Sequence, residues 1–272
     1  MWLATNAGPF ELLELQVQNP TLSGLKVLHL SDLHFAPRQD NKRAFLRDLA
    51  TTNPDLVVNT GDNLGHSNAI PFALEALGAL ADVPGVFVNG SNDYRSPKPR
   101  NPVSYFSGPS KVSSERNLDT ERFTTELENF GWLNLNNRSG TFEIGGKKLG
   151  FLGLDDPHEN LDDLSSLSSQ KAMVGDVDFL FGVAHAPYHR VIDAFSDYGV
   201  EFMFAGHTHG GQICLPGKQA LVTNCDLERE YASGLSAWGE GMLLHVSSGA
   251  GHSIYAPIRL FCPPSATLLS FI

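Results

Sequence analysis

The chain has 272 residues, 42% hydrophobic and 18% charged, enough apolar content for a sizeable core and too much for wholesale disorder. Its 19 basic and 30 acidic residues give a formal net charge of −11. This argues against long nucleic acid as the main partner, because counterion release needs a basic face. The three cysteines, Cys214, Cys225 and Cys262, lack CxxC spacing and read as core thiols in a reducing compartment.

The first twenty residues carry neither a basic leader followed by an apolar run nor the ~20 apolar residues of a membrane span. A soluble, cytoplasmic protein is the expectation. Leu25–Leu30 reads as a buried strand, and Asp40 as the cap of a helix stopped by Asn53–Pro54. A second strand over Leu56–Asn59 ends at Thr60-Gly61-Asp62. A helix over Ala69–Ala81 precedes a strand over Gly85–Asn89, which runs into Gly90-Ser91-Asn92-Asp93. This strand–loop–helix repetition predicts a mostly parallel sheet covered by helices.

The stretch from Arg95 to Asn117 is rich in Pro and Ser, and Arg95, Lys98, Arg100 and Lys111 precede its first acid, Glu115. It reads as a surface loop, either a plain solvated excursion or an anion-attracting lid. Next come a helix over Thr120–Phe130 and strands near Thr141–Ile144, Lys148–Leu154 and Asp178–Ala184. A helix over Tyr188–Tyr198 and strands over Val200–Ala205, Met242–Val246 and Thr267–Ile272 complete the reading. No internal repeat or long linker interrupts it, so one domain over 1–272 is expected.

Metal-capable residues stand just past the ends of five of these apolar strands: Asp32/His34, Asp62, Asn92/Asp93, His185 and His207/His209. In open α/β sheets that edge is where ligands bind. In Asp32-Leu33-His34 an extended loop would turn residues i and i+2 to one side, so that a carboxylate and an imidazole grip one ion. His207-Thr208-His209 repeats the spacing, with Gly206, Gly210 and Gly211 freeing the backbone. Oxygen and imidazole donors without thiolate suit Mn, Fe or Zn.

The order SDLHF, TGDN, GSND, VAHAPYH, GHTHGGQI resembles that of the calcineurin-like metallophosphoesterase superfamily over nearly the whole chain. The GHTHGGQ wording is similar to a bacterial subgroup whose members often carry a membrane-anchoring N-terminal segment, which the first twenty residues here do not lead one to expect. The resemblance implies an α/β fold, a four-layer α/β/β/α sandwich with two divalent or trivalent metal ions at one sheet edge. Asp32, His34 and His209 would hold one ion, and Asp62 would bridge. His185 and His207 would hold the other with an Asn, here Asn92. The implied activity is hydrolysis of a phosphate mono- or diester by in-line attack of a metal-bridging hydroxide.

One motif departs from the family. Gly-Asn-His-Asp reads here as Gly90-Ser91-Asn92-Asp93, so no imidazole remains there to protonate the leaving group, help typically worth ~10²–10⁴-fold. Either the leaving group needs little protonation or another acid serves. His158, past a strand, and His66, four residues after Asp62, are the candidates, with Asn92 the residue left in the motif. His66 and Arg95 are also candidate substrate contacts. His29 and His245 read as structural, His189 as a surface or packing residue, and His252 as a possible pocket residue. A small phosphoester substrate is the expected partner, with peripheral membrane contact through the Arg95–Lys111 stretch an open expectation. The alternative is a catalytically impaired metal-binding scaffold or partner-binding protein, motivated by the missing His.

Overall fold

A computed structural model describes residues 3–4, 9–98, 115–217, 219–239 and 241–272. Arg100 and Lys111 of the basic stretch lie outside the described residues. In chain order the main strands are β1 (Glu11–Val17), β2 (Lys26–Leu30), β3 (Leu56–Asn59), β4 (Gly85–Phe87), β5 (Leu133–Asn134) and β6 (Ser139–Ile144). They continue with β7 (Lys147–Gly153), β8 (Phe179–Val183), β9 (Phe202–Ala205), β10 (Gly234–Trp238), β11 (Met242–Val246) and β12 (Ser265–Phe271). The helices are α1 (Asp40–Leu49), α2 (Ile70–Leu77), α3 (Ser91–Tyr94), α4 (Thr120–Asn129), α5 (Leu167–Val174) and α6 (His189–Asp197).

Two six-stranded sheets form, in the orders β1-β12-β2-β3-β4-β5 and β10-β11-β9-β8-β7-β6. Strands β2 to β5 run parallel, as do β7, β8, β9 and β11. The sheets are nevertheless mixed rather than mostly parallel throughout. β12 pairs antiparallel with β2, and the hairpins β6–β7 and β10–β11 close both flanks of the second sheet. Short turns join those hairpins, and a two-to-four-residue link can only return a strand antiparallel.

Val27, Val58 and Val86 of the first sheet meet Phe151, Phe181 and Phe204 of the second in one buried layer. Leu46, Leu77 and Leu127 of α1, α2 and α4 pack on the outer face of the first sheet. Leu167 and Phe195 of α5 and α6 cover the second. The arrangement is the four-layer α/β/β/α sandwich. Strands β2, β3, β8 and β9 are covered on both faces, which is why their sequences read as unbroken apolar runs. Strand β1 instead carries half-buried and exposed positions, with only Val17 buried, at the sheet's edge, and α5 buries Gln170 between Leu167 and Val174. Neither is legible as an apolar run.

At the start of α1, Asp40 is the first helical residue rather than the cap. Gln39 holds the cap position, and Asp40 pairs with Arg43. Among the described residues no helix is long and apolar enough to cross a membrane.

Candidate metal centre

The parallel strands of both sheets deliver their carboxyl ends to one edge, and the loops there are stitched together by backbone bonds. Asp32 N–H donates to Gly61 O (2.8 Å), His34 N–H to Asp62 O (2.9 Å) and Gly206 N–H to His185 O (2.8 Å). The two sheets are joined where His207 N–H donates to Asp32 Oδ2 (3.0 Å).

The loops are not extended, as the D-x-H spacing suggested. Asp32, His34, Asp62, His207 and His209 all sit at positive φ, between 43° and 70°. The left-handed region costs a non-glycine residue of order 1–3 kcal/mol and survives only where the surroundings impose it. Tight turns rather than the pleat therefore bring alternate side chains together.

The side chains converge as two overlapping groups, Asp32–His34–His209 and Asp32–Asp62–His185, with ligand atoms inside each group within 4.8 Å of one another. His34 Nε2 and His209 Nε2 face each other at 3.3 Å, and Asp32 Oδ1 lies 3.5 Å from His209 Nε2 and 4.0 Å from His34 Nε2. Asp32 Oδ2 is occupied by Ser31 Oγ–H (2.6 Å) and His207 N–H. Buried Oδ1 has no hydrogen-bond partner, and neither does His185 Nε2. A buried polar atom without a partner costs ~1–3 kcal/mol, and acceptor atoms aimed at a common point are what a cation relieves. The residues present fit metal ions.

Asp62 stands between the groups. Its Oδ2 lies 3.5 Å from His34 Nε2 and its Oδ1 3.6 Å from His185 Nε2. Asn92 clamps it from the other side, through its backbone N–H to Oδ1 (2.8 Å) and its Nδ2 to Oδ2 (2.7 Å). Ser91 turns away and donates to Asp156 Oδ2 (2.6 Å). Asn92 thus presents its amide nitrogen to Asp62, and offering oxygen to an ion requires a half-turn of the amide. Asp93 braces the same loop, accepting from Asn63 N–H, Leu64 N–H and Gly90 N–H. Burial, then the neighbouring Asp62, pushes the Asp93 carboxyl up to about 7.

Partners behind the candidate ligands fix their tautomers. His185 Nδ1 meets Thr60 O at 2.7 Å, leaving Nε2 for an ion. Burial would lower the pKa of His185, but Asp62, Asp32 and Asp156 raise it to about 9, so an arriving ion displaces a proton. Burial, then the Arg259 guanidinium, holds His209 down at about 3. His207 Nε2 lies 3.2 Å from both the carbonyl and the Nδ2 of Asn224, which leaves Nδ1 for an ion. Its ring is 5.2 Å from that of His185 and 4.5 Å from that of His158.

His158 is buried beside this second group, with Nδ1 2.8 Å from Tyr188 Oη. His66 makes a local contact instead, its Nδ1 accepting from Asn68 N–H (3.0 Å). Arg95 is paired with Glu159 and Lys98 with Glu115. Those two cations of the basic stretch are therefore neutralised in this structure rather than presented as an anion-attracting lid. His189 pairs with Glu228 (3.1 Å) against the Trp238 ring. His29 and His245 bond each other in the interior (Nδ1 to Nδ1, 2.8 Å), and His252 is fully buried.

Two buried cations are absent from the sequence reading. Lys42 Nζ donates to Leu33 O (2.6 Å), with His34 O at 3.5 Å. Arg259 bonds Gly251 O (2.5 Å) and lies 3.0 Å from His209 Nδ1. Lys42 shares a helical stripe with the buried Leu46 and Leu49, at i, i+4 and i+7 spacing. That placement was the available signal, whereas nothing around Arg259 marks it.

Close packing explains the glycines beside the candidate ligands. A Cβ on Gly206 would stand 1.8 Å from Ser31 Oγ and 2.6 Å from Asp32 Oδ2, and one on Gly90 would stand 2.3 Å from Asp62 Oδ1. Gly206→Ala is therefore expected to lose metal and ~1–3 kcal/mol of stability, read by metal content and thermal unfolding.

Residues 25–211 match the family profile described as Calcineurin-like phosphoesterase. The chain belongs to this family, and its class is that of metal-dependent phosphoester hydrolases. It is 24% identical over 294 aligned positions to an uncharacterized metallophosphoesterase of Aquifex aeolicus, covering 99% of this chain and 98% of that one. It is 28% identical to the UDP-2,3-diacylglucosamine pyrophosphatase LpxG of Chlamydia muridarum, over 91% of this chain and 84% of that one. Among solved structures, Haemophilus influenzae NAD nucleotidase superposes with a TM-score of 0.50 at 12% identity, over 86% of this chain and 48% of that one. At that identity the likeness shows the fold alone.

Proposed function

We propose that the chain is a dinuclear hydrolase of phosphate mono- or diesters and related anhydrides, acting on substrates whose leaving group departs as a stable anion. The observation that carries this reading is Asp62, whose two oxygens each face a different imidazole between two groups of buried or half-buried candidate ligands. Asp32, His34 and His209 would hold one ion. His185, His207 and Asn92 would hold the other, with Asp62 shared. Bound ions supply Lewis acidity and a water of lowered pKa. The chain's own residues do the rest: Ser31 and His207 N–H fix Asp32, Thr60 fixes the His185 tautomer, and Asn92 and Asp93 hold the Asp62 loop.

The missing motif imidazole sets the substrate preference. A phosphoryl leaving group, with a second pKa of ~6, or a nitrophenolate needs little proton help, whereas an alkoxide needs it. The pyrophosphatase activity named for the Chlamydia relative supports the same preference. His158, buried beside His207, is assigned the proton for poorer leaving groups.

The test is turnover by the manganese-loaded protein of bis-p-nitrophenyl phosphate, a nucleoside diphosphate-sugar and a dialkyl ester, with and without His158→Gln. The substitution is expected to cut turnover of the alkyl leaving group ~10²–10⁴-fold and the activated substrates far less. Equal losses on both would remove His158 as the acid. Metal binding with no turnover of any activated ester would favour the scaffold reading.

A further inference from the structure

One more parallel strand ends at the edge where the candidate ligands gather. β7 runs parallel to β8, and past Gly153 the chain stays tied to it, Leu154 N–H donating to Val183 O (3.1 Å). β8 leads on to His185, and β7 leads on to Asp156. Asp156 thus reaches the site by the same strand-end placement as the other ligands.

Asp156 is fully buried. Its neighbour Asp155 is half-buried and engaged elsewhere, accepting from Tyr94 Oη–H (2.6 Å). Asp156 Oδ2 accepts from Ser91 Oγ–H (2.6 Å), and Oδ1 accepts from His158 N–H (3.0 Å). One neutral donor on each oxygen leaves a carboxylate further acceptor capacity. A buried charge needs a partner ion or a metal, yet the ionisable groups acting most strongly on Asp156 are His185 and Asp62, candidate ligands themselves.

The contacts of Asp156 place it against the group built on Asp62, His185 and His207. Ser91 stands between Gly90 and Asn92. A Cβ on Gly90 would lie 2.3 Å from Asp62 Oδ1 and 2.8 Å from His185 Cε1. Asn92 grips both Asp62 oxygens. At the other end of the Asp156 loop, the His158 ring is 4.5 Å from that of His207. His185 Nε2 is buried in this group without a hydrogen-bond partner. Of the donors assigned to its ion, Asn92 offers oxygen only after a half-turn of the amide, because its Nδ2 is held by Asp62 Oδ2 at 2.7 Å.

We infer that Asp156 is a further ligand of the ion held by His185 and His207, supplying the oxygen that Asn92 as it stands does not. The inference rests on the dinuclear reading and completes the donor set of that site. Asp32, Asp62 and Asp156 would then give the pair three carboxylates, hard donors that suit Mn or Fe.

The experiment titrates the chelator-stripped full chain with Mn²⁺ by calorimetry, in the wild type, Asp156→Asn, Asp156→Ala and Ser91→Ala. Asparagine keeps both contacts, its oxygen accepting from His158 N–H and its nitrogen donating to Ser91 Oγ. Asp156→Asn is therefore expected to unfold without metal at the wild-type midpoint, and it decides alone if Asp156→Ala does not fold. The wild type is expected to bind two ions. One of them should weaken by more than ~100-fold in Asp156→Ala and by at least ~10-fold in Asp156→Asn, against ~10–100-fold for losing a mere outer partner. The other ion should bind as before, and Ser91→Ala should change little. The rise in unfolding midpoint that Mn²⁺ produces should shrink in both Asp156 variants. Two ions bound with wild-type affinity in the Asp156 variants would overturn the inference and leave the dinuclear reading standing. Equal weakening of both ions would overturn it too, as would a full loss reproduced by Ser91→Ala, by making Asp156 a support for its loop. A wild type that binds a single ion would overturn the dinuclear reading and the inference together.

Discussion

Asp62→Asn is expected to lower kcat/KM by at least ~10²-fold and to reduce the bound metal, with the chain still folded. The side chain is isosteric, so packing is preserved, but the carboxylate's two roles fail together. Each oxygen faces a different imidazole, Oδ2 toward His34 at 3.5 Å and Oδ1 toward His185 at 3.6 Å. An amide offers one acceptor oxygen and puts N–H donors where the other stood. Asn92 reaches both carboxylate oxygens with N–H donors, so one of those bonds becomes donor against donor. Outer partners of ligands are typically worth 10–100-fold, and a shared ligand should exceed that range. Metal analysis beside turnover checks both halves of the expectation.

Lys42→Met is expected to weaken metal binding ~10–100-fold while moving the unfolding midpoint only slightly. Two effects oppose each other in stability. Removing Nζ deprives Leu33 O of its 2.6 Å donor, a loss of ~1–3 kcal/mol for a buried acceptor. Burial, then the nearby Arg259, already holds the Lys42 pKa well below its usual value, so an unfavourable desolvation disappears with the amine. These terms nearly cancel for a side chain of similar length. Nothing offsets the loss of geometry, because Leu33 and His34 belong to the turn that holds Asp32 and His34 at φ 50° and 43°. Metal affinity by competition with a chelator, beside thermal unfolding, separates the two effects. A large fall in stability with unchanged affinity would make Lys42 a plain structural residue.

The central strands were legible because helices or the opposing sheet cover both their faces, leaving uninterrupted runs such as Leu56–Asn59 and Phe202–Ala205. The same coverage makes a polar residue just past a strand conspicuous, and this is how Asp32, Asp62, His185 and His207 stood out. The edges were less legible. Glu11–Val17 is half-buried or exposed except at Val17, and its place beside β12, from the other end of the chain, is a long-range pairing that no local pattern announces.

The site's conformation was misread where it departs from regular backbone. An extended Asp32–His34 was the simplest inference from i, i+2 spacing, yet the turn is left-handed at both residues. Tertiary bonds donated to the Gly61 and Asp62 carbonyls impose that conformation, and local sequence does not. In the third motif the sequence reading assigned Asn92 to an ion. In the structure Ser91 faces Asp156 and Asn92 faces Asp62. The supporting cations differ for a similar reason. Lys42 shows its role in its place on the buried stripe of α1, whereas Arg259 acts through a loop whose path depends on the whole fold.

The most direct measurement is the stoichiometry of metal binding: chelator-stripped protein titrated with Mn²⁺ by calorimetry, with elemental analysis of the product. Two equivalents per chain, both lost or weakened in Asp62→Asn, are the predicted result. A single equivalent that Asp62→Asn leaves untouched would contradict a shared carboxylate between two ions, and with it the dinuclear hydrolase.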